Sequence, residues 1–369
     1  MAGNSIGKAF VFTSFGESHG KLVGVVVDGC PAGLPFSGVD VQADLDRRIP
    51  LQKPGLVSGR VEKDIAQIQS GVFNGFTTGA PICLTLENKE TQSTDYDSIR
   101  DLPRPAHADY TAFVKYGGFN DPRGGGRFSG RITVATIMAG ALAKKLLSQF
   151  DVDVLAYTRS IGKIKSEKQL GLGEIRKNRY ESAVRCPDLA CSEKMEDAIL
   201  AAKKAGESLG GVIECVALNV PAGAGEPLFD TLDGDLAKAL FTVPAVKGVE
   251  FGSGFELTEM RGSEANDAFQ MQNGKVATAT NLAGGILGGI SSGMPIVIRV
   301  AVKPTPSIAK EQQTVHLAKM ENAKIKVGGR HDPCVVPKAV PAVEAAAAFT
   351  LADHMIRAGF IPKILKRQE

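Results

Sequence analysis

Two periodicities of hydrophobic and polar residues run along the chain, and they predict strands and helices in a mixed order. Ile296, Ile298, Val300 and Val302 are spaced two apart, which indicates a strand with one buried face. Residues 131–150 are apolar around much of a helical circumference, which indicates a helix packed between layers. Both kinds of element are therefore expected in a layered core.

The strand spacing of two residues and the helical spacing together assign most of the chain to strands and helices. The predicted strands are residues 21–27, 65–72, 82–86, 152–161, 212–220 and 295–302. The predicted helices are residues 39–48, 131–150, 193–209, 232–241 and 342–358. Ser37 and Asp40 have the spacing of a capping box before the first helix, and Pro341 and Gly359 flank the last one. Because strands and helices do not alternate steadily, the order favours an α+β layered architecture over a doubly wound sheet or a TIM barrel.

Glycine is the outlier of the composition. The chain has 42 glycines in 369 residues, about 11% against a usual share of about 7%, whereas proline is near its average. An excess of glycine alone indicates backbone geometries that other residues reach with difficulty. With 43% hydrophobic and 22% charged residues and no Ser/Pro-rich linker, one globular domain over residues 1–369 is expected.

Charge and cysteine content limit the classes of partner. The net charge of +3, from 43 basic and 40 acidic side chains, is too small to indicate binding to nucleic acid or acidic membranes. Any anion site must therefore be local. Six cysteines without a CxxC pair are typical of reduced thiols. Without a leader pattern or an apolar window of about 20 residues, a cytoplasmic protein with no membrane anchor is expected.

Two histidines lie in segments suited to catalysis. His19 lies within residues 15–20, flanked by glycines that allow close backbone approach to a ligand, and an imidazole titrates near neutral pH. His107 lies between Arg104, which could bind an anion, and Asp109, which could orient the ring. The alternatives are a buried structural histidine for the first segment and an exposed turn with routine charge pairing for the second.

The strongest signal for an anion site is the loop over residues 121–131. Three consecutive glycines at 124–126 lie among Arg123, Arg127 and Arg131, and the loop leads into a predicted helix whose first N–H groups can bind an anion. The loop lacks the Walker A pattern, and no GxGxxG follows a strand, so neither nucleotide fingerprint is present. A flexible, solvated basic loop is the alternative.

Three C-terminal segments add candidate contacts. Residues 283–290 hold two glycine pairs that suit close backbone approach or a tight packing loop. Residues 303–307 end a strand with a lysine and two hydroxyls, which suits a phosphate, a flavin or an exposed proline turn. His331, Asp332 and Cys334 form a poor zinc set because adjacent residues seldom point at one ion, so no metal is predicted.

Taken in order, these segments resemble the chorismate synthase family. The resemblance rests on residues 16–20, 44–48, 104–109, 115–117, 123–127, 248–252, 284–289, 303–304 and 330–333. They occur in the family's order and extend over essentially the whole chain. Any one segment could arise by chance, but the ordered set is very specific.

The resemblance implies a fold, an assembly and a reaction. The fold would be a β-α-β sandwich with helices between two antiparallel sheets, assembled as a homotetramer. The reaction would be the 1,4-anti elimination of phosphate from 5-enolpyruvylshikimate 3-phosphate to give chorismate, the last common step towards aromatic amino acids. It would require reduced FMN without net redox change. NADPH would be only an indirect source of electrons, because the length leaves no room for a flavin reductase and an external one is expected.

The resemblance also assigns roles to residues of this chain. His107 would protonate the departing phosphate, His19 would keep the flavin monoanionic, and Asp332 would relay a proton at flavin N5. The substrate's phosphate and carboxylates would be held by Arg48, Arg104, Ser129 and Arg131. The FMN site would be lined by Arg127, Phe128, Ser129, Pro244, Ala245, Gly288, Lys303, Pro304, Thr305, Pro306, Ser307 and Arg330.

Two positions depart from the family pattern, and two other classes of protein stay open. Relatives often have an arginine shortly after Arg47 and Arg48, where this chain has Lys53, a point charge that cannot copy a bidentate fork. Phe128 stands where serine is common.

A flavoprotein oxidoreductase would use the same anion sites. A nucleic-acid-binding module would need interleaved aromatic residues, but the chain has no Trp and 6% aromatic residues.

Overall fold

One antiparallel sheet is built from the N-terminal part of the chain. The computed structural model describes residues 3–49, 51, 53, 56, 64–88, 101–328 and 331–365. Ile82, Leu84 and Leu86 point into the core, as their alternation predicts. In spatial order the strands are β1 (Ser5–Ile6), β2 (Val11–Gly16), β3 (Leu22–Asp28), β7 (Ile82–Glu87) and β4 (Gln67–Ile68).

A second antiparallel sheet is built from the C-terminal half. In spatial order its strands are β11 (Val246–Phe251), β16 (Ile296–Val302), β10 (Gly211–Leu218), β8 (Asp153–Ile161) and β9 (Ile164–Lys165). The alternating residues of β16 from Ile296 onward are buried, as predicted. On the other face, Glu250, Arg299, Glu214 and Tyr157 stand in register across four strands and are joined by hydrogen bonds and ion pairs.

Two long helices lie between the two sheets. Among the described residues, the helices are α1 (Gly38–Arg48), α2 (Asp109–Tyr116), α3 (Thr133–Ser148), α4 (Leu172–Asn178), α5 (Leu189–Lys204), α6 (Leu232–Leu240), α7 (Gly262–Ala265) and α8 (Val336–Arg357). Helix α3 packs on β3 of the first sheet and on α8, and α8 packs on β8 and β10 of the second sheet. The predicted β-α-β sandwich is confirmed.

Four two-stranded hairpins in the described part of the chain are separate from the two large sheets. The strand pairs are β5 (Val72–Phe73) with β6 (Phe76–Thr77), β12 (Phe269–Gln272) with β13 (Lys275–Thr278), β14 (Ile286–Leu287) with β15 (Ile290–Ser291), and β17 (Glu311–His316) with β18 (Glu321–Lys326). The first of these hairpins turns at Asn74 and Gly75, which both have positive φ.

Several predicted boundaries were wrong. The strand expected over 65–72 is divided into β4 and β5, because Gly71 turns the chain with φ +82°. Helix α5 begins four residues earlier than expected because the Asp188 side chain caps it by accepting from the N–H of Cys191. Helix α8 begins at Val336, so Pro341 lies inside the helix and not before it.

A network of buried charges ties the helices to the second sheet. Glu344 of α8 is 1% exposed, pairs with Lys144 of α3 at 2.8 Å, pairs with Arg179 and accepts from the N–H of Ala156 at 2.9 Å. Burial raises the pKa of Glu344, but the two cations outweigh burial and lower this pKa to about 2. Lys144 also binds Asp44 of α1 at 2.7 Å. The middle layer is therefore held by charge as well as by apolar packing.

A single hydrophobic cluster contains residues of both sheets and of α1, α3, α6 and α8. This shared core supports the expectation of one domain, which stays a prediction. In the part of the chain that the structure describes, no helix combines the length and the apolar character needed to cross a bilayer.

Candidate active site

The loop of three glycines lies between the two predicted catalytic histidines. A Cβ atom placed on Gly124 would lie 2.2 Å from Cε1 and Nδ1 of His19, and one placed on Gly125 would lie 3.3 Å from Cε1 of His107. Both glycines have positive φ, +59° and +82°, which L side chains adopt only with strain. Glycine is therefore needed at 124 for close approach as well as for conformation, and at 125 chiefly for conformation. The loop brings together histidines from distant parts of the chain.

His19 lies in the turn between β2 and β3 and is 7% exposed. The N–H of Ser18 donates to the carbonyl of Gly126 at 3.3 Å, which fastens this turn to the glycine loop. Asp121, at the start of the loop, has a lowered pKa, chiefly because of its hydrogen bond from Arg123. The His19 turn is therefore joined to the glycine loop by a backbone hydrogen bond as well as by the close packing of its ring on Gly124.

His107 forms a cluster with Arg104 and Asp109 at the start of α2. Nδ1 of His107 lies 2.6 Å from Oδ1 of Asp109, and the Arg104 guanidinium donates to both Asp109 oxygens at 2.8 Å. Burial raises the pKa of Asp109, but the hydrogen bonds from Arg104 and His107 outweigh burial and hold this pKa well below its usual range. Asp109 is therefore a carboxylate at neutral pH.

The contacts of His107 decide where its proton lies. Nη2 of Arg104 is 3.1 Å from Nδ1 of His107, and arginine can only donate, so this contact needs a lone pair on Nδ1. The contact with Asp109 needs a proton at the same atom. At 2.6 Å and to a charged acceptor, the Asp109 contact is the stronger one and places the proton on Nδ1. Nε2 of His107 is then left facing Gly125 and the loop.

Arg48 and Arg131 meet at one buried carboxylate. Asp64 is 4% exposed and accepts from Nη1 of Arg131 at 2.5 Å and from Nη1 of Arg48 at 3.3 Å, on different oxygens. The carboxylate thus draws two guanidinium groups, from α1 and from the turn before α3, to one place. The structure thus brings together two of the residues predicted to bind the substrate.

Arg127 braces the glycine loop against the first sheet. Its guanidinium donates to the carbonyl of Gly16 at 3.0 Å, to Oγ of Ser14 at 3.1 Å and to Oδ1 of Asn4 at 2.9 Å. These acceptors are neutral, and burial lowers the pKa of Arg127. The residue predicted to contact the flavin is therefore held through its side chain by β2 and the chain before β1.

Phe128 and Ser129 follow in the same loop. Phe128 is 39% exposed and lines an open pocket together with Arg104, His107, Asp109 and Phe113. Oγ of Ser129 accepts from the N–H of Arg131 at 3.3 Å and caps the short 3₁₀ turn that precedes α3. The pocket gives a ligand access to the side chains of the His107 cluster.

Residues 303–307 bring the second sheet to the His107 cluster. Nζ of Lys303 donates to the carbonyl of Ala106 at 3.0 Å, and Oγ of Ser307 accepts from Nη1 of Arg104 at 3.3 Å. Between them, Oγ1 of Thr305 is buried and has no hydrogen-bond partner among the described residues. This loop therefore borders the site with an amine and an unsatisfied hydroxyl.

Four further predicted flavin residues border or belong to that loop. Pro304 and Pro306 alternate with its three polar residues, and Pro244 and Ala245 form the turn before β11. The carbonyl of Ala245 accepts from the N–H of Lys303 at 2.9 Å. The structure therefore places this turn beside the 303–307 loop.

Asp332 lies in a segment that adjoins Leu209, close to the 303–307 loop. Both of its oxygens accept from Nζ of Lys338, at 2.7 and 2.8 Å. A parallel bridge joins Leu209 to the chain just after Asp332, and Oγ of the neighbouring Ser208 donates to the carbonyl of Thr305 at 2.7 Å. Asp332 is thereby placed near the 303–307 loop as a carboxylate paired with a lysine.

Gly288 lies apart from the other residues predicted to bind the flavin. It lies in the turn between β14 and β15 with φ +59° and open space around it. This hairpin adjoins Gly252 through Gly284, at the end of β11 opposite to Val246 and Lys303. The structure therefore does not bring Gly288 to the histidines, and Arg330 lies outside the described residues.

Sequence reasoning missed Asp64 and Asn88, and the structure shows where Lys53 lies. Asp64 carried no local signal, because its partners are arginines from elsewhere in the chain. Asn88 directly follows a well-predicted strand, and a polar residue at a strand end is a modest signal for a site. Lys53 pairs with Glu196 of α5 at 2.7 Å and its side chain is 52% exposed.

The described residues include no group of three or more His, Cys, Asp or Glu that could hold a metal ion.

Fold and site together define a class of protein: an α+β enzyme with two histidines packed against a glycine loop and two arginines gathered at one buried carboxylate. The family model described as chorismate synthase matches residues 10–356. The chain therefore belongs to the chorismate synthase family, a family of lyases, and the predicted family and enzyme class are confirmed.

Relatives from bacteria and archaea match over nearly their whole length. The chain is 54% identical to the chorismate synthase of Dehalococcoides mccartyi over 364 residues, covering 99% of this chain and 100% of that protein. It is 54% identical to the chorismate synthase of Korarchaeum cryptofilum over 357 residues, covering 97% and 98%. A crystal structure of chorismate synthase matches with a TM-score of 0.73 and 32% identity, covering 95% of this chain and 93% of that one.

Proposed function

We propose that the protein converts 5-enolpyruvylshikimate 3-phosphate into chorismate and inorganic phosphate by 1,4-anti elimination. The observation that carries this proposal is the convergence of His19 and His107 on one glycine loop. Beside this loop two guanidinium groups, those of Arg48 and Arg131, meet at the carboxylate of Asp64. The substrate bears a phosphate and two carboxylates, groups that arginine binds with charge-assisted hydrogen bonds.

Reduced FMN is the proposed cofactor, and the 303–307 loop fits a group of this kind. The buried hydroxyl of Thr305 has no partner among the described residues, and a hydrogen-bonding ligand would supply one. Burial and, secondly, the charge of Lys247 lower the pKa of Lys303, and a bound anion would favour its charged form. When bound, reduced FMN supplies electron density to the substrate as the C3–O bond breaks and takes up the hydrogen lost from C6.

The residues proposed to hold FMN belong to the glycine loop, to the 303–307 loop and to the turn before β11. They are Arg127, Phe128, Ser129, Pro244, Ala245, Lys303, Pro304, Thr305, Pro306 and Ser307. Gly288 and Arg330 stay predictions, since the first lies at the other end of β11 and the second outside the described residues.

His107 is proposed to give a proton to the departing phosphate. Asp109 holds the Nδ1 proton, so the atom that faces a ligand is Nε2. In the doubly protonated ring Nε2 carries the proton that can be donated, and the Asp109 carboxylate stabilises the positive charge. Arg104 in turn keeps Asp109 ionised. A general acid of this kind contributes a rate factor of about 10² to 10⁴.

The other roles follow the same arrangement. His19 is proposed to lie against the reduced flavin and to keep it monoanionic. Asp332, with Lys338 beside it, is proposed to relay the proton at flavin N5. The substrate's anionic groups are assigned to Arg48, Arg104, Ser129 and Arg131.

Anaerobic turnover with photoreduced FMN tests the proposed function. The expected result is release of phosphate and chorismate over many cycles without stoichiometric oxidation of the flavin. Oxidation of one flavin per turnover would instead indicate a flavoprotein oxidoreductase. His107→Ala is expected to lower kcat at least about tenfold with the fold intact, whereas His316→Ala, in the β17–β18 hairpin, serves as a matched control and retains activity.

The assembly, electron source and location are part of the same proposal. A homotetramer in the cytoplasm that takes FMN reduced by a separate reductase is expected. Light scattering measures the assembly. Rapid turnover by the purified protein with oxidised FMN and NADPH alone would contradict the need for an external reductase.

A further inference from the structure

Asn88, at the end of β7, contacts the turn that carries His19. The turn is closed by a hydrogen bond from the N–H of Gly20 to the carbonyl of Glu17 at 3.2 Å. Nδ2 of Asn88 donates to the carbonyl of Glu17 at 3.1 Å and to the carbonyl of Gly20 at 2.9 Å. One side-chain amide therefore holds the chain on both sides of His19.

The other end of the same amide contacts the arginine cluster. Oδ1 of Asn88 accepts from Nε of Arg131 at 3.0 Å, while Nη1 of Arg131 binds Asp64 at 2.5 Å. Asp64 also binds Arg48 at 3.3 Å. Asn88 is therefore the link between the His19 turn and the two arginines that share a carboxylate.

The backbone fixes Asn88 as firmly as its side chain does. Its N–H donates to the carbonyl of Lys21 at 3.1 Å, next to the first residue of β3. Leu22 and Glu87 are paired across β3 and β7, so Asn88 stands where the ladder of the first sheet ends. Because Asn88 is fixed to the end of the first sheet, its side chain holds the His19 turn and the Arg131 guanidinium in fixed positions relative to that sheet.

We propose that Asn88 is a positioning residue that sets His19 and Arg131 at a fixed separation by binding both through one side-chain amide. The inference rests on the proposed function, which places His19 at the cofactor and Arg131 at the substrate. Only an amide serves both groups, since it donates to two carbonyls and accepts from a guanidinium. A carboxylate accepts from the guanidinium but has no proton for the carbonyls, and a longer amide changes the separation.

A double-mutant cycle in kcat and in substrate affinity tests this role. Asn88→Ala is expected to lower kcat about tenfold or more, because a displacement near 1 Å in a catalytic group has effects of this size. In a His19→Ala background the same change is expected to lower kcat less than about twofold, since residues that act as a unit are not additive. Asn88→Ala is also expected to weaken substrate binding, because it displaces Arg131. This loss of affinity is expected both with His19 present and in the His19→Ala background.

A second measurement does not depend on turnover. The imidazole signals of His19, assigned by their loss in His19→Ala, are expected to shift in the NMR spectra of Asn88→Ala and of Asn88→Asp. Asn219→Ala is the matched control, because it removes one amide contact, to the carbonyl of Asp151 at 2.9 Å, away from the site. No shift is expected there. If Asn88→Ala does not fold, Asn88→Asp, which keeps the acceptor for Arg131, provides the same comparison.

Three results would separate the possible failures. An equal loss of kcat from Asn88→Ala with and without His19 would mean a general structural role and overturn the proposal. Unchanged His19 signals in a folded variant would overturn it as well. Absence of turnover in the unmodified protein would instead count against the proposed function, while the NMR comparison would still decide whether Asn88 positions His19.

Discussion

Gly124→Ala is expected to displace His19 and to lower turnover strongly. The new Cβ atom would lie 2.2 Å from the ring, and ordinary contacts begin at 3.4 Å, so ring and loop must separate by about 1.2 Å. His19 is 7% exposed and has little free space to move into. A 1 Å misplacement costs about 10² in rate, which corresponds to about 2.7 kcal/mol of activation free energy.

The same substitution also strains the backbone. Gly124 has φ +59°, and an L residue in the left-handed region costs about 1 to 2 kcal/mol. Together with the separation of ring and loop, the free energy of unfolding is expected to fall by a few kcal/mol, less than the roughly 5 to 15 kcal/mol of a typical native protein, so the variant stays folded. Loss of kcat with a retained fold is therefore the expected combination.

Gly130→Ala is the matched control within the same loop. Nothing lies within 4 Å of a Cβ atom at this position, and its φ is not positive. The assay is anaerobic phosphate release at saturating substrate with photoreduced FMN, accompanied by urea unfolding of each variant. If Gly124→Ala kept kcat within about twofold of the unmodified protein, the close packing of His19 on this loop would have no part in catalysis.

The remaining predictions concern the buried charges around Glu344 and the exposed pair of Lys53 with Glu196. Glu344→Gln leaves Lys144 and Arg179 without their shared counter-charge in the core and is expected to cost about 3 to 5 kcal/mol in urea unfolding at neutral pH. Because the folded pKa of Glu344 is lowered from 4.5 to about 2, its stabilisation is complete above pH 4.5 and is lost as the pH falls towards 2. A stability difference from the variant that stays constant over this window would contradict the assignment. Lys53→Ala removes an exposed pair with Glu196 and is expected to leave both stability and substrate affinity nearly unchanged; a tenfold weaker affinity in calorimetry would place Lys53 at the anion site.

Local features were predicted well because their causes are local. The capping box of Ser37 and Asp40 was expected from spacing and is present before α1. The alternating residues of β7 and β16 face the core as their period indicates. Pro341 was misplaced because proline is tolerated inside α8 once tertiary packing stabilises that helix, an effect that no local pattern shows.

The site was predicted by residue type but not by partner. Arg48 and Arg131 were expected to bind an anion, yet the shared carboxylate of Asp64 was not foreseen. Asn88 carried only the modest signal of a strand end. These contacts join residues far apart in the chain, and their existence depends on how the first sheet and α3 approach each other.

By itself, the sequence determined the elements, the glycine loop and the types of side chain available for chemistry, because propensity, capping and periodicity act between near neighbours. Only the tertiary structure decided that the ring of His19 packs on Gly124 at a distance that leaves no room for a side chain there, and that His107 lies beside Gly125 in the same loop. It also decided that Arg127 braces the first sheet and that Gly288 lies at the far end of β11. The physical reason is that hydrogen bonds and steric contacts act over a few ångströms, so they depend on the packing of the layers and not on separation along the chain.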